Sequence, residues 1–277
     1  MNERLIFIDT HAHLQGDEYA EDLPDVIARA HDAGVQQIVV PGVDVETSKS
    51  AIELTEAYTG VFAAAGFHPH EASRLDEGAA ARIEAMLAHP KVVAVGEIGL
   101  DYYYNHSRRD AQLVCIEQML GLAERHTLPV IVHCREAWDD AAAVLAPWAR
   151  RVRKAFGEHP VGVMHYFFGT LEQARFYIEL GFVISVHTAV THKKQVQMRE
   201  VVSQLPLESL VIETDSPYGA PQAHRGRRNE PAYVAEAAKQ IAAEQDVSLE
   251  AVAEATRANA ARLFNLPVEA STGGVSR

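Results

Sequence analysis

Short apolar runs alternate with amphipathic stretches along nearly the whole chain. Eight runs read as strands: LIFID (5–9), QIVVP (37–41), VFAAAG (61–66), VVAVGE (92–97), PVIVH (129–133), GVMHY (162–166), FVISV (182–186) and LVIET (210–214). Most are near-continuous rather than alternating, the pattern of parallel strands covered on both faces. Amphipathic segments separate them. In DLPDVIARAHDAG (22–34), Leu23, Val26, Ile27 and Ala30 form one stripe and Gly34 is placed to end the helix. QLVCIEQMLGLAERH (112–126) carries a second strong helical pattern. Eight strand–helix pairs in a chain of 277 residues predict a (β/α)8 TIM barrel, with a doubly wound open sheet as the competing arrangement. SLEAVAEATRANAARLFNL (248–266) reads as a capping helix and ASTGGVSR (270–277) as a frayed tail, so residues 1–269 are expected to form a single domain.

In a barrel of this kind catalytic side chains come from the C-terminal ends of the strands. Reading those ends in turn yields His11 and His13 after strand 1, Glu97 at strand 4, His133 at strand 5, His165 at strand 6 and Asp215 after strand 8. Imidazole nitrogens and carboxylate oxygens are the ligand types that hold divalent ions. The FIDTHAHL stretch sharpens the reading. Residues i and i+2 of an extended chain project to the same face, so His11 and His13 can reach one ion. Six ligands exceed the three plus water of a single catalytic site. A carboxylate can bridge two ions where an imidazole nitrogen cannot, which singles out Glu97. The expected division places His11, His13, Glu97 and Asp215 around one ion, and Glu97, His133 and His165 around the other. Two such ions favour in-line displacement at phosphorus, with a shared hydroxide attacking. Zinc, manganese and magnesium all stay open as identities.

Composition narrows the setting. The formal charge of −13 argues against broad, non-specific nucleic-acid binding, though bound metal ions would supply positive charge locally. With only Cys115 and Cys134, no disulfide framework is expected, which suits a reducing, cytoplasmic location. The N-terminal MNERLIFIDTH offers no signal-peptide core, and no apolar stretch approaches the roughly 20 residues of a membrane span. No oligomeric state is predicted; a monomer is compatible with the pattern.

The motifs THAHL, GFHPH (66–70), GEIGLDYYY (96–104), PVIVHCREA (129–137), HYFFG (165–169), ETDSPY (213–218) and RNEP (228–231) occur in the order, and with the content, of the TatD family of metal-dependent deoxyribonucleases, which the chain resembles over residues 7–231. The resemblance implies an amidohydrolase-superfamily TIM barrel with divalent metals that hydrolyses DNA, often as a 3′→5′ exonuclease. The family's metal positions fall on the same six residues. Two departures stand out. Relatives usually carry H-C-F-S-G or H-C-F-T-G where this chain has His165-Tyr166-Phe167-Phe168-Gly169, and His187 lies near a position where they tend to carry glycine. Both bear on the pocket rather than on the ligands.

Around this set, Asp215 is a candidate general base as well as a ligand, and Glu213 a support behind it. His68 and His70 are candidates for contacting a phosphate or protonating a leaving group, and Asp101 for orienting a ligand histidine. Tyr102 to Tyr104 offer faces for base stacking, of which Tyr102 is the selected candidate. Arg228 is a candidate phosphate fork. His187 is expected at the substrate. Asn229 and Glu230 read as organising the loop after strand 8. A nucleophilic role for Cys134 is the weakest alternative. DNA or oligonucleotide is thus the expected substrate. Amide, ester or lactone hydrolysis, aminoacyl esters included, is the competing enzyme class, and a metal-bearing binding protein without turnover the non-enzymatic one.

Overall fold

In the computed structural model, which describes residues 5–267, eight parallel strands lie side by side in chain order. They are β1 (Phe7–Asp9), β2 (Val35–Pro41), β3 (Val61–Ala65), β4 (Val92–Asp101), β5 (Val130–Arg135), β6 (Gly162–Met164), β7 (Phe182–His187) and β8 (Leu210–Glu213). A helix follows each: α1 (Leu23–Asp32), α2 (Val45–Ala57), α3 (Glu77–Met86), α4 (Arg109–His126), α5 (Trp138–Phe156), α6 (Leu171–Glu179), α7 (Val196–Val202) and α8 (Val234–Gln245). A ninth, α9 (Leu249–Phe264), comes last. The expected tail, 270–277, lies outside the described residues.

Closure occurs between β1 and β8. Thr10 N–H donates to Ile212 O at 3.1 Å, Asp215 N–H to His11 O at 2.8 Å and His13 N–H to Ser216 O at 2.8 Å. Ala12 and Ser216 form a parallel bridge. An open doubly wound sheet would leave its edge strands apart and scramble the strand order, so the barrel is the correct alternative. Local signals act as the sequence suggests. Gly34 ends α1 at φ +94°, and a Cβ there would collide with Leu5 O. Asp44 and Thr170 build capping boxes at the starts of α2 and α6. Among the described residues no helix is long and apolar enough to cross a membrane.

The alternation of side chains along each strand divides the core in two. Val130 and Val132, like Leu210 and Ile212, face the helices, whereas Ile131 and Val211 face inward. The inward set, with Ile8, Val39, Ala64, Ala94, Val163 and Val183, forms its own apolar cluster, completed by Leu263 and Phe264 of α9. The capping reading therefore holds, and α9 plugs the N-terminal end of the barrel.

One strand departs from expectation in a way that matters. β4 continues to Asp101 instead of stopping at Glu97, and its pairing with β5 shifts register between Val95 and Ile98. Glu97 is thus re-aimed from inside a strand by an irregularity of the bulge kind, not presented at a strand end.

Candidate metal centre

Two residues beyond the apolar plug, the same inward-facing rows become polar. Ile131 is followed by His133, Val163 by His165, and Val211 by Glu213 and then Asp215. β1 contributes His11 and His13 from the extended segment that the bridge to Ser216 holds against β8. All six expected ligands converge at this end, in three overlapping groups: His11–His13–Asp215, His11–Glu97–His165 and His68–Glu97–His133.

Five of the donor separations in the first cluster are close to the edges of a coordination shell. His11 Nε2 and His13 Nε2 are 3.2 Å apart. Glu97 Oε2 lies 3.3 Å from His11 Nε2 and 3.6 Å from His13 Nε2, while Asp215 Oδ1 lies 3.6 and 3.3 Å from the same two atoms. Four donors placed about 2.0–2.1 Å from a common centre have tetrahedral edges of about 3.3–3.4 Å. The other oxygen of Glu97 faces a second cluster. Oε1 is 3.1 Å from His133 Nδ1, 3.3 Å from His68 Nε2 and 3.6 Å from His165 Nε2. Each Glu97 oxygen serves one cluster, as a bridging carboxylate must.

Outer contacts set the imidazole tautomers. His133 Nε2 lies 3.1 Å from Asp101 Oδ2, and His165 Nδ1 lies 3.0 Å from Glu213 Oε1. The hydrogen bond to Asp101 leaves the lone pair of His133 Nδ1 turned inward, and the Glu213 carboxylate favours the same arrangement for His165 through its charge. His11 Nδ1 is buried without a hydrogen-bond partner, and His165 Nδ1, close as it lies to Glu213, makes no well-aligned hydrogen bond either. His68 differs in kind. Its Nδ1 accepts the N–H of His70 at 3.2 Å, so the neutral ring carries its proton on Nε2, facing Glu97. Burial pulls His68 down to about 4, which keeps it neutral. That tautomer is a hydrogen-bond donor; serving as a ligand as well would require the ring to lose both protons.

The electrostatics fit divalent cations. Glu97, Glu213 and Asp215 are buried, and among the described residues they pair only with histidines, never with lysine or arginine. In the metal-free protein the imidazoles must therefore supply the positive charge. Burial opposes this for His165, yet Glu213 and Glu97 overcome it and hold the ring up to about 10. Burial likewise opposes ionisation of Asp215, but the hydrogen bond from His13 and the neighbouring His165 keep its carboxyl well below the usual range. Cations bound to neutral imidazoles would supply the same charge without a buried proton on each ring. The donor set fits two such ions.

Other expected residues are placed as follows. His70 borders the second cluster, with Nε2 at 2.9 Å from the Asp101 Oδ2 that also meets His133. Tyr102 turns away: its hydroxyl donates to Asp140 at 2.6 Å and Arg109 covers its ring. The Arg228 guanidinium is engaged by Asp22 and Glu230, at 2.7 and 3.2 Å. His187 is buried under Tyr166, ring centroids 3.7 Å apart, with Nε2 unpartnered. Asn229 ties the loop after β8 together by donating to Thr214 O at 2.8 Å and Tyr218 O at 2.7 Å. Cys134 is pushed up to about 12 by burial, which suppresses its thiolate.

Asp9 was not among the expected site residues. It is buried in the β1–β8 seam, where it accepts from Thr214 N–H at 3.0 Å, Thr214 Oγ1 at 2.6 Å and His11 N–H at 3.3 Å. One side chain thus pins the segments carrying His11 and Asp215. An acid ending an apolar run was the available signal.

The sequence profile of TatD related DNases matches residues 8–265. A relative in Bacillus subtilis, described as the uncharacterized metal-dependent hydrolase YabD, is 40% identical over 94% of this chain and 100% of its own length. A protein of Edwardsiella piscicida, described as the 3′-5′ ssDNA/RNA exonuclease TatD, is 34% identical over 94% of this chain and 99% of its own. The crystal structure of YJJV, a TatD homologue from Escherichia coli, superposes with a TM-score of 0.87 at 32% identity, covering 94% of this chain and 98% of that one.

Proposed function

The chain belongs to the TatD-related DNase family of metal-dependent hydrolases, and from that premise we propose that it hydrolyses phosphodiester bonds of single-stranded DNA or RNA, releasing nucleotides from the 3′ end. The observation that carries the proposal is Glu97, whose two oxygens face two separate sets of donors. His11, His13, Glu97 and Asp215 would hold one divalent ion; Glu97, His133 and His165 would hold the second. When bound, such ions supply Lewis acidity toward phosphoryl oxygens and lower the pKa of a water.

The remaining chemistry belongs to side chains. Asp215 is held ionised at neutral pH and directs Oδ1 at His11 and His13, leaving its other oxygen to take a proton from the attacking water. His68 offers a neutral Nε2–H at the edge of the second cluster and donates a hydrogen bond, keeping its proton, to a phosphate or leaving-group oxygen. Asp101 orients His133 and His70 together. A labelled oligonucleotide assay run beside an ester and amide panel tests the proposal. Metal-dependent shortening from the 3′ end is expected. A large rate advantage for acyl substrates would overturn it.

A further inference from the structure

Every exposed Phe, Tyr or Trp among the described residues stands at the mouth of the barrel: Tyr103 and Tyr104 after β4, Phe168 after β6 and Tyr218 after β8. Strand order places β4 and β8 diametrically across the mouth, with β6 midway. The rings are coupled to the metal centre by direct neighbours. Tyr218 lies 6.3 Å from the His13 ring, Tyr104 lies 5.6 Å from His70, and Phe168 lies 4.9 Å from Tyr166, itself 5.8 Å from His165. The guanidinium of Arg135 rests on Tyr103 and Tyr104, at 4.0 and 4.7 Å from their centroids, and pairs with no described acid. In a chain of net charge −13 this is an uncompensated cation stacked on two rings beside the site.

Exposed rings scattered singly are ordinary, but rings gathered around one opening mark a binding surface. Their position around the site, with a stacked free cation among them, suits a flat, aromatic ligand attached to an anionic backbone. We infer that these rings form an arc of nucleobase platforms: Tyr218 and Phe168 each stack one base flanking the scissile phosphate, and the Tyr103–Arg135–Tyr104 stack receives the next. This rests on the nuclease reading above and specifies its substrate. Stacking is tolerant of sequence because every base presents a π-face. Within a duplex those faces are covered by neighbouring bases, so the arc selects unpaired strands at least two nucleotides long.

The test uses Phe168→Ala and Tyr218→Ala, which remove rings that are 41% and 57% exposed and so leave the packed core intact. With metal present, each variant is expected to raise KM for a single-stranded oligonucleotide about tenfold, and Phe168→Trp to restore it. An oligonucleotide abasic at the two positions flanking the cleaved bond is expected to raise the wild-type KM by a similar factor, with no further rise in the alanine variants. If those variants weaken intact and abasic substrates equally, or not at all, the platforms are overturned while the hydrolase reading stands. If wild-type protein cleaves no oligonucleotide, both fall.

Discussion

The two ends of the barrel interior are made by the same strands under opposite rules. At the N-terminal end, Ile131, Val163 and Val211 meet Phe264 of α9 in a dry cluster. Two residues further along, those strands present His133, His165 and Glu213, the first partly buried and the others buried, all charged or chargeable. The lower layer stabilises by excluding water. The upper layer holds carboxylates and imidazoles that are unfavourable there unless compensated. Placing the two a strand-pitch apart lets the rigid plug hold the donors in place without sharing their electrostatics.

The largest effects should come from the upper layer. Glu97→Ala is expected to lower hydrolysis by at least about 10²–10³-fold and to reduce bound divalent metal below two per chain by elemental analysis. Full activity with unchanged metal would contradict the bridging role. The lower layer should behave in the converse way. Phe264→Ala is expected to destabilise the fold by about 3–5 kcal/mol, read from the urea midpoint, while metal stoichiometry stays at the wild-type value. Were Phe264→Ala to strip the metal without destabilising the fold, the two layers would not be separable.

Acidity discriminates the layers further. In the metal-free protein His165 is raised from 6.5 to about 10, so its contribution is complete below pH 6.5 and is lost as pH rises through about 10. Glu97 and Asp215 are depressed from 4.5 and 3.8, so theirs is present above those values and lost on acidification through the lower folded values. Ions need the imidazoles neutral, so their binding strengthens as pH rises. The gap in Tm between metal-replete and chelated protein should therefore widen from pH 5 to pH 9; a constant gap would argue against histidine ligation.

Smaller effects are expected at the margins. Asp101→Asn should weaken metal affinity or activity about 10–100-fold through misorientation of His133, measurable by metal titration. Arg228→Ala, which breaks partly exposed pairings with Asp22 and Glu230, should change thermal unfolding only slightly. A much larger rise in KM than in instability would return Arg228 to the substrate.

The barrel and its donors were legible because both follow from short-range order. Near-continuous apolar runs marked buried parallel strands, and an abrupt change to histidine or acid at the end of a run marked the mouth. His11 and His13 were readable from extended-chain geometry alone. Glu97 was found for a reason that was only half right, since β4 runs past it and a register shift aims it inward. Asp9 was missed because its partner, Thr214, lies at the other end of the chain. Tyr102 was selected over Tyr103 and Tyr104, yet it is the ring that turns away, since exposure here depends on Arg109, Asp140 and Arg135 arriving from elsewhere.

Residue order therefore settled that the inward rows of β5, β6 and β8 turn from apolar to His or acid, because side-chain alternation is a property of the backbone itself. Tertiary structure alone decided which oxygen of Glu97 meets which imidazole, which nitrogen of His68 carries the proton, and which aromatic rings remain open to solvent. Those outcomes depend on contacts between segments that only closure of the barrel brings within a few ångströms.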